Sequence, residues 1–207
     1  MAAKFDPQHH HRKSIRLSGY DYAQAGAYFV TIVTWQRDCL FGEVVDGVMI
    51  CSQAGKIVEW EWQNLASSFR FLELGASQVM PNHFHGILLF HDAGATRPGL
   101  TGSIAGKSPA QNESLSSPDG SPLRNGSSLP RGPKMASLGA VIGQFKSRVT
   151  KRLWKMPELN GTPIWQRNYH DRIIRNDHEM GNIWRYIESN PLNWADDTEN
   201  PLLVTCS

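Results

Sequence analysis

V-M-P-N-H-F-H-G-I-L-L-F, residues 79–90, places two imidazoles at the head of an apolar run. Pro81-Asn82 is a turn pair, so the stretch reads as the end of one strand, over 71–80, and the start of another, over 83–90. Successive side chains of a strand point to opposite faces, so His83 and His85 share one face. With a rise of about 3.3 Å per residue their side chains stand roughly 6–7 Å apart, close enough to lean together on one cation. A polar ring buried without a partner costs free energy, so the pair needs either backbone partners or an ion. Both readings are open from these residues alone.

The neighbouring segments build outward from this stretch. Residues 27–35, A-Y-F-V-T-I-V-T-W, are β-branched and aromatic and read as a strand. Residues 39–50 carry a D-G turn between apolar runs, a hairpin signal. Ser52 can cap a helix over about 53–66, with Ile57, Trp60 and Leu65 among its apolar positions. Past residue 134, Leu138, Val141, Ile142, Phe145, Val149 and Leu153 follow helical spacing until Pro157 stops them. Residues 164–175 are apolar and basic and lead into a strand, and Asn176 with Glu179 forms a capping box for a helix to about Asn190. The order strand, hairpin, helix, strand, strand, helix, strand, helix fits an α+β sandwich with an antiparallel sheet.

Composition bounds what this can be. The chain has 207 residues, 40% of them apolar, with seven Trp and eight Phe, enough for a substantial core. No apolar run approaches a membrane span or a secretory signal. Cys39, Cys51 and Cys206 form neither a disulfide framework nor a zinc ribbon, so a reducing, cytoplasmic location is expected. Residues 93–134 hold seven Gly, six Pro and eight Ser and no aromatic residue. Such a segment cannot bury enough surface to offset its chain entropy and is expected to be a flexible insertion in one domain spanning 1–207. The net charge of +2 is mild, but the basic residues cluster. Arg12, Lys13 and Arg16 lie in an N-terminal tail over 1–19; Lys146, Arg148, Lys151, Arg152 and Lys155 fall together, and Arg167, Arg172 and Arg175 follow. They are either solvated faces or phosphate contacts.

A nucleophile is sought next. G-x-S-x-G, Walker A, G-x-G-x-x-G, H-E-x-x-H and C-x-x-C patterns are absent. On the last helix Met180, Ile183, Trp184 and Ile187 form the apolar face, and Tyr186 and Asn190, four apart, flank it on one side. A tyrosine so placed can hold its hydroxyl at a wet boundary, and an amide one turn on can add an oxygen ligand to a metal. Boundary packing and a C-terminal cap explain the same spacing. Tyr169, among Arg167, Arg172 and Arg175, competes as the nucleophile.

M-P-N-H-F-H-G-I, F-K-S-R-V-T-K-R, I-W-Q-R-N-Y-H-D-R-I-I-R-N and R-Y-I-x-x-N-P, in this order, resemble the REP-associated tyrosine transposases of the single-tyrosine HUH (His-hydrophobic-His) group. The early stretch R-K-S-I-R-L-S-G-Y-D-Y-A-Q-A-G-A-Y-F-V-T-I resembles the same group, and the insertion has no counterpart. The resemblance implies a ferredoxin-like antiparallel sheet with helices on one face, plus a C-terminal helix carrying the nucleophile. It implies Mg²⁺ or Mn²⁺ as cofactor and single-stranded DNA with hairpins, such as repetitive extragenic palindromes, as substrate. His83 and His85 match the metal pair, Tyr186 the nucleophile and Asn190 a third ligand. Tyr186 would then attack a phosphate and stay joined to its 5′ side, as an endonuclease and strand transferase. Arg12, Lys13, Arg16, Lys146, Arg148, Lys151, Arg152, Arg167, Arg172 and Arg175 become candidates for DNA binding. Trp165 is either a stacking platform or core. A homodimer stays open, as do a DNA-binding regulator that does not cleave and a zinc hydrolase. A missing carboxylate near the histidine strand counts against the hydrolase.

Overall fold

The computed structural model describes residues 19–91 and 137–201. Its backbone runs β1 (Gly26–Val33), β2 (Gly42–Val45), β3 (Val48–Cys51), α1 (Gln53–Gln63), β4 (Leu72–Val79), β5 (His83–Phe90), α2 (Leu138–Leu153), β6 (His170–Ile174) and α3 (Asp177–Ser189). Residues 1–18 of the N-terminal tail, with Arg12, Lys13 and Arg16, and the whole of the insertion lie outside the described residues.

Four strands form one sheet in the order β4-β5-β1-β6, and every neighbouring pair is antiparallel. With α1 between β1 and β4, and α2 between β5 and β6, this is the ferredoxin-like arrangement of two interleaved βαβ units. The α+β expectation therefore holds. The predicted hairpin forms as well, but β2 and β3 pair only with each other. Their two-residue turn, Asp46-Gly47, has φ of 50° and 75°, the left-handed pair that a right-twisted hairpin requires.

Helix starts follow their caps. The hydroxyl of Ser52 accepts from the Gly55 amide, that of Ser137 from the Ala140 amide, and the side-chain oxygen of Asn176 from the Glu179 amide. Glu179 does not complete the capping box at Asn176: its carboxylate accepts from the amide of Arg175 instead.

The sheet carries helices on both faces. On one, α1 and α2 bury Val58, Trp62, Val141, Phe145 and Val149 against Tyr28, Val30, Ile32, Phe84 and Leu88. Trp165 joins this cluster against Phe41 and Phe145, so it is core. On the other, Ile183 and Ile187 of α3 pack on Ile87 and Ile174, with Phe29 beside them. Gly86 faces the first cluster, and a Cβ there would run into the ring of Trp62.

Two tryptophans depart from the apolar faces expected of them. Trp60 is exposed, with the Arg152 guanidinium 4.0 Å from its ring centre, while Trp62 is the buried one. Trp184 is also exposed, its indole N–H donating to Glu188, because α3 covers only part of its sheet face and this ring falls at the margin over Gly75.

Candidate active site

Alternation along β5 puts His83 and His85 on the α3 face, as their spacing requires, and Phe84 and Gly86 on the other. The rings lean together to a centre separation of 4.5 Å. Each has its Nδ1 engaged: His83 with the side-chain oxygen of Asn82 at 2.9 Å, His85 with the Thr31 hydroxyl at 2.9 Å. Thr31 is the cross-strand partner of His85 on β1. The Asn82 oxygen can only accept, so His83 carries its proton on Nδ1 and turns a lone pair at Nε2 toward the site.

Tyr186 is half-exposed, with its hydroxyl 3.4 Å from His85 Nε2. Phe29 holds both rings, stacked on His85 and edge-on to Tyr186. One chain thus brings the phenol and the imidazoles together across 101 residues of sequence. Asn190, one turn after Tyr186, is buried and donates from Nδ2 to Asp197 at 3.1 Å.

Asp197 is the residue that sequence reasoning missed. Its carboxylate lies 3.9 Å from His83 Nε2, and the ligand atoms of His83, His85 and Asp197 fall within 4.8 Å of one another. The carboxylate absent from the sequence around the histidine strand is delivered from the far end of the chain. Only the D-D pair after the last helix hinted at it. The segment carrying Asp197 is tied back to the strand by Asn82, whose side-chain nitrogen donates to the carbonyls of Glu199 at 2.6 Å and Arg37 at 3.1 Å. Glu199 in turn takes the Arg37 guanidinium at 2.7 Å. Gln36 and Arg37 hold positive φ of 54° and 62°, a strained turn that these bonds fasten.

A divalent ion fits this donor set. His83 Nε2 and Asn190 Oδ1 are buried with no hydrogen-bond partner. Two donors each about 2.1 Å from one ion lie up to ~4.2 Å apart, which matches the His83–Asp197 separation. Burial lowers the pKa of His83, against the raising fields of Asp197 and Glu199, and lowers that of His85 well below the ordinary value, with the charge of His83 adding to it. Both are therefore neutral near pH 7, the form that ligates. Burial and the Asp197 charge push the Tyr186 phenol up, against the bond from Asn190. The bare site therefore keeps that proton on.

The remaining candidates are distributed unevenly. Arg172 lies on the site face, beside Phe29, and is paired with Glu179. Arg148 and Arg152 sit with α2 against the opposite side of the sheet, donating to Ser68 and to the buried Glu61. Lys151 is exposed on the same helix. Lys146 is engaged inside the protein, donating to the carbonyls of Gln166 at 2.6 Å and Asn168 at 2.9 Å, and burial lowers its pKa to about 8. Arg167 and Arg175 are exposed. Tyr169 packs against the α1–α2 cluster, on the side of the sheet away from the histidines.

A ferredoxin-like α+β protein with a paired-histidine and tyrosine site is the class that this geometry defines. An uncharacterised protein of Haemophilus influenzae strain Rd is 31% identical over 198 residues, covering 95% of this chain and 97% of its own length. The chain belongs to the family of that protein. No family model matches it. Among solved structures, a REP-associated tyrosine transposase bound to a REP hairpin superposes with a TM-score of 0.49 at 15% identity, over 86% of this chain and 74% of that one. A transposase candidate from Deinococcus radiodurans gives a TM-score of 0.38 at 18% identity, over 84% of this chain and 95% of that one.

Proposed function

We propose that the protein is a metal-dependent transposase that cuts and rejoins single-stranded DNA through Tyr186. One observation carries the reading: the Tyr186 hydroxyl lies 3.4 Å from His85 Nε2, beside the partnerless Nε2 of His83 and the carboxylate of Asp197. His83, His85 and Asp197 would hold the ion, with Asn190 orienting Asp197 and offering Oδ1. When bound, the ion supplies Lewis-acid polarisation of the scissile phosphate. Its positive charge also opposes the acidic field that holds the Tyr186 proton in place.

Tyr186 then acts as a rigid nucleophile. Its ring is set against Phe29 and His85, and its helix is anchored on the sheet by Ile183 and Ile187, while its hydroxyl stays open to a strand. As the bond from the phenol oxygen to phosphorus forms, the phenol loses its proton. The bond from phosphorus to the 3′ oxygen breaks, and that oxygen leaves as a 3′-OH. The 5′ phosphate stays on the enzyme, so a second 3′-OH can reverse the step without ATP. Imidazole is a softer ligand than Mg²⁺ prefers, so Mn²⁺ should support the reaction better. The motifs shared with REP-associated tyrosine transposases favour hairpin-bearing repeats as substrate.

A denaturing gel of the full chain with a labelled hairpin strand and Mn²⁺ should show a covalent adduct that a Tyr186→Phe variant lacks. A wild-type chain that binds Mn²⁺ and the strand but forms no adduct overturns the reading. A second reading gains from Asp197, because two histidines and a carboxylate also suit zinc and a water nucleophile. It predicts phosphoester hydrolysis with Zn²⁺ that survives Tyr186→Phe.

A further inference from the structure

A cleft of about 550 Å³ opens beside Tyr186, on the site face of the sheet. Its walls include Phe29 from β1, Arg172 from β6, and His178, Glu179 and Asn182 from α3. The size falls within the roughly 300–1,000 Å³ of small-ligand sites. His178, Asn182, Tyr186 and Asn190 are each four residues apart, so they form one row along α3. That row runs from the cleft to the candidate metal donors, with Tyr186 between them, each step about 6 Å along the helix axis.

Charge decides what the cleft can take. Arg172 is the cation in its wall, and Glu179 holds that guanidinium at 2.7 Å from Nε and accepts from the Arg175 amide. A phosphate placed here would meet the Glu179 carboxylate with its counter-charge already engaged. A neutral planar group would meet the Phe29 ring and the amide and imidazole of Asn182 and His178. The Asn182 oxygen takes the Arg185 guanidinium at 2.7 Å, but its Nδ2 meets His178 only weakly, at 3.4 Å, so that nitrogen and the imidazole can turn to a ligand. Amides read base edges and aromatic rings receive base faces, and single-stranded DNA presents both.

We infer that this cleft is a nucleobase pocket that seats an unpaired base of the strand next to the phosphate facing Tyr186. The inference rests on the function proposed above and names how the strand is held. Asn182 is the specificity residue, and it sits one turn from the nucleophile, so a base seated here places its own phosphate at the tyrosine. The metal donors lie outside the cleft, and changes to Asn182 should leave ion binding alone.

The test uses the full chain with Tyr186→Phe, so that binding is measured without chemistry, and the four tetradeoxynucleotides dA4, dC4, dG4 and dT4 as probes. Nuclear magnetic resonance should show the Asn182 side-chain amide shifting with one probe more than with the others. Asn182→Leu should weaken that probe's binding roughly 5- to 150-fold, the range of one base contact, and Asn182→Ala by less. A probe made abasic at successive positions should bind the Leu variant and its parent equally at one of them. Mn²⁺ affinity should be unchanged in both variants. Equal binding of every probe by the variants and the parent overturns the inference. If wild type still forms the adduct in that case, the transposase reading stands without this pocket. If the variants lose binding but no strand ever forms an adduct, the pocket stands and the transposase reading falls.

Discussion

Asn82→Ala tests whether the second layer of the site is functional. The Asn82 side chain is fully buried and makes three contacts: to His83 Nδ1 at 2.9 Å, to the Glu199 carbonyl at 2.6 Å and to the Arg37 carbonyl at 3.1 Å. Each bond is worth about 1 kcal/mol net, and three lost together cost on the order of 3 kcal/mol. For a chain of this size each kcal/mol shifts the melting temperature by about 2–4 °C, so a fall of roughly 6–12 °C is expected by circular dichroism. The same change frees the His83 ring to rotate and loosens the segment that carries Asp197. Loss of a partner behind a metal ligand lowers ion affinity by about 10- to 100-fold. Calorimetric titration of the full chain with Mn²⁺ at pH 7 and at 15 °C, well below both transitions, measures this. A variant that melts early but binds Mn²⁺ within twofold of wild type would refute the reasoning, since Asn82 would then only support the fold.

Other substitutions probe separate links. Tyr186→Phe should abolish the covalent adduct while leaving Mn²⁺ affinity within a few-fold; an adduct that persists moves the nucleophile elsewhere, Tyr169 being the next to test. His83→Ala and His85→Ala should each remove Mn²⁺-dependent cleavage and lower Mn²⁺ affinity by at least tenfold in calorimetry, and normal cleavage would end the metal assignment. Gly86→Ala should destabilise by about 1–3 kcal/mol in denaturant melts, because the Trp62 ring is wedged between Phe84 and Phe145 and cannot move aside. Burial depresses both site histidines, so below about pH 6.5 the unfolded chain takes up protons that the folded chain refuses, and stability falls as the pH drops. In thermal melts from pH 7.5 to 5.5 without metal, His85→Gln should show a shallower fall than wild type.

Local signals in the chain were sufficient for much of this. Period-two alternation put His83 and His85 on one face; Ser52 and Asn176 started the helices that they cap; Asp46-Gly47 turned the hairpin. These are interactions over a few residues, and such distances leave their mark in spacing and residue type. The i,i+4 relation of Tyr186 and Asn190 is of the same kind.

Other features depend on contacts that no local pattern encodes. The sequence could not say that Asp197 meets His83 across 114 residues, nor that Asn82 ties Glu199 to Arg37. Helical spacing offered Trp60 and Trp184 as buried, but how far a sheet face extends beneath a helix is set by the neighbouring strands. The arginines around Tyr169 in the sequence offered it as a rival to Tyr186, and packing against the α1–α2 cluster places that ring on the far face. The sequence alone determined which side chains share a strand face or a helix row, because backbone geometry repeats. Only the tertiary structure decided which of those faces meet, because burial and pairing are settled between segments distant along the chain.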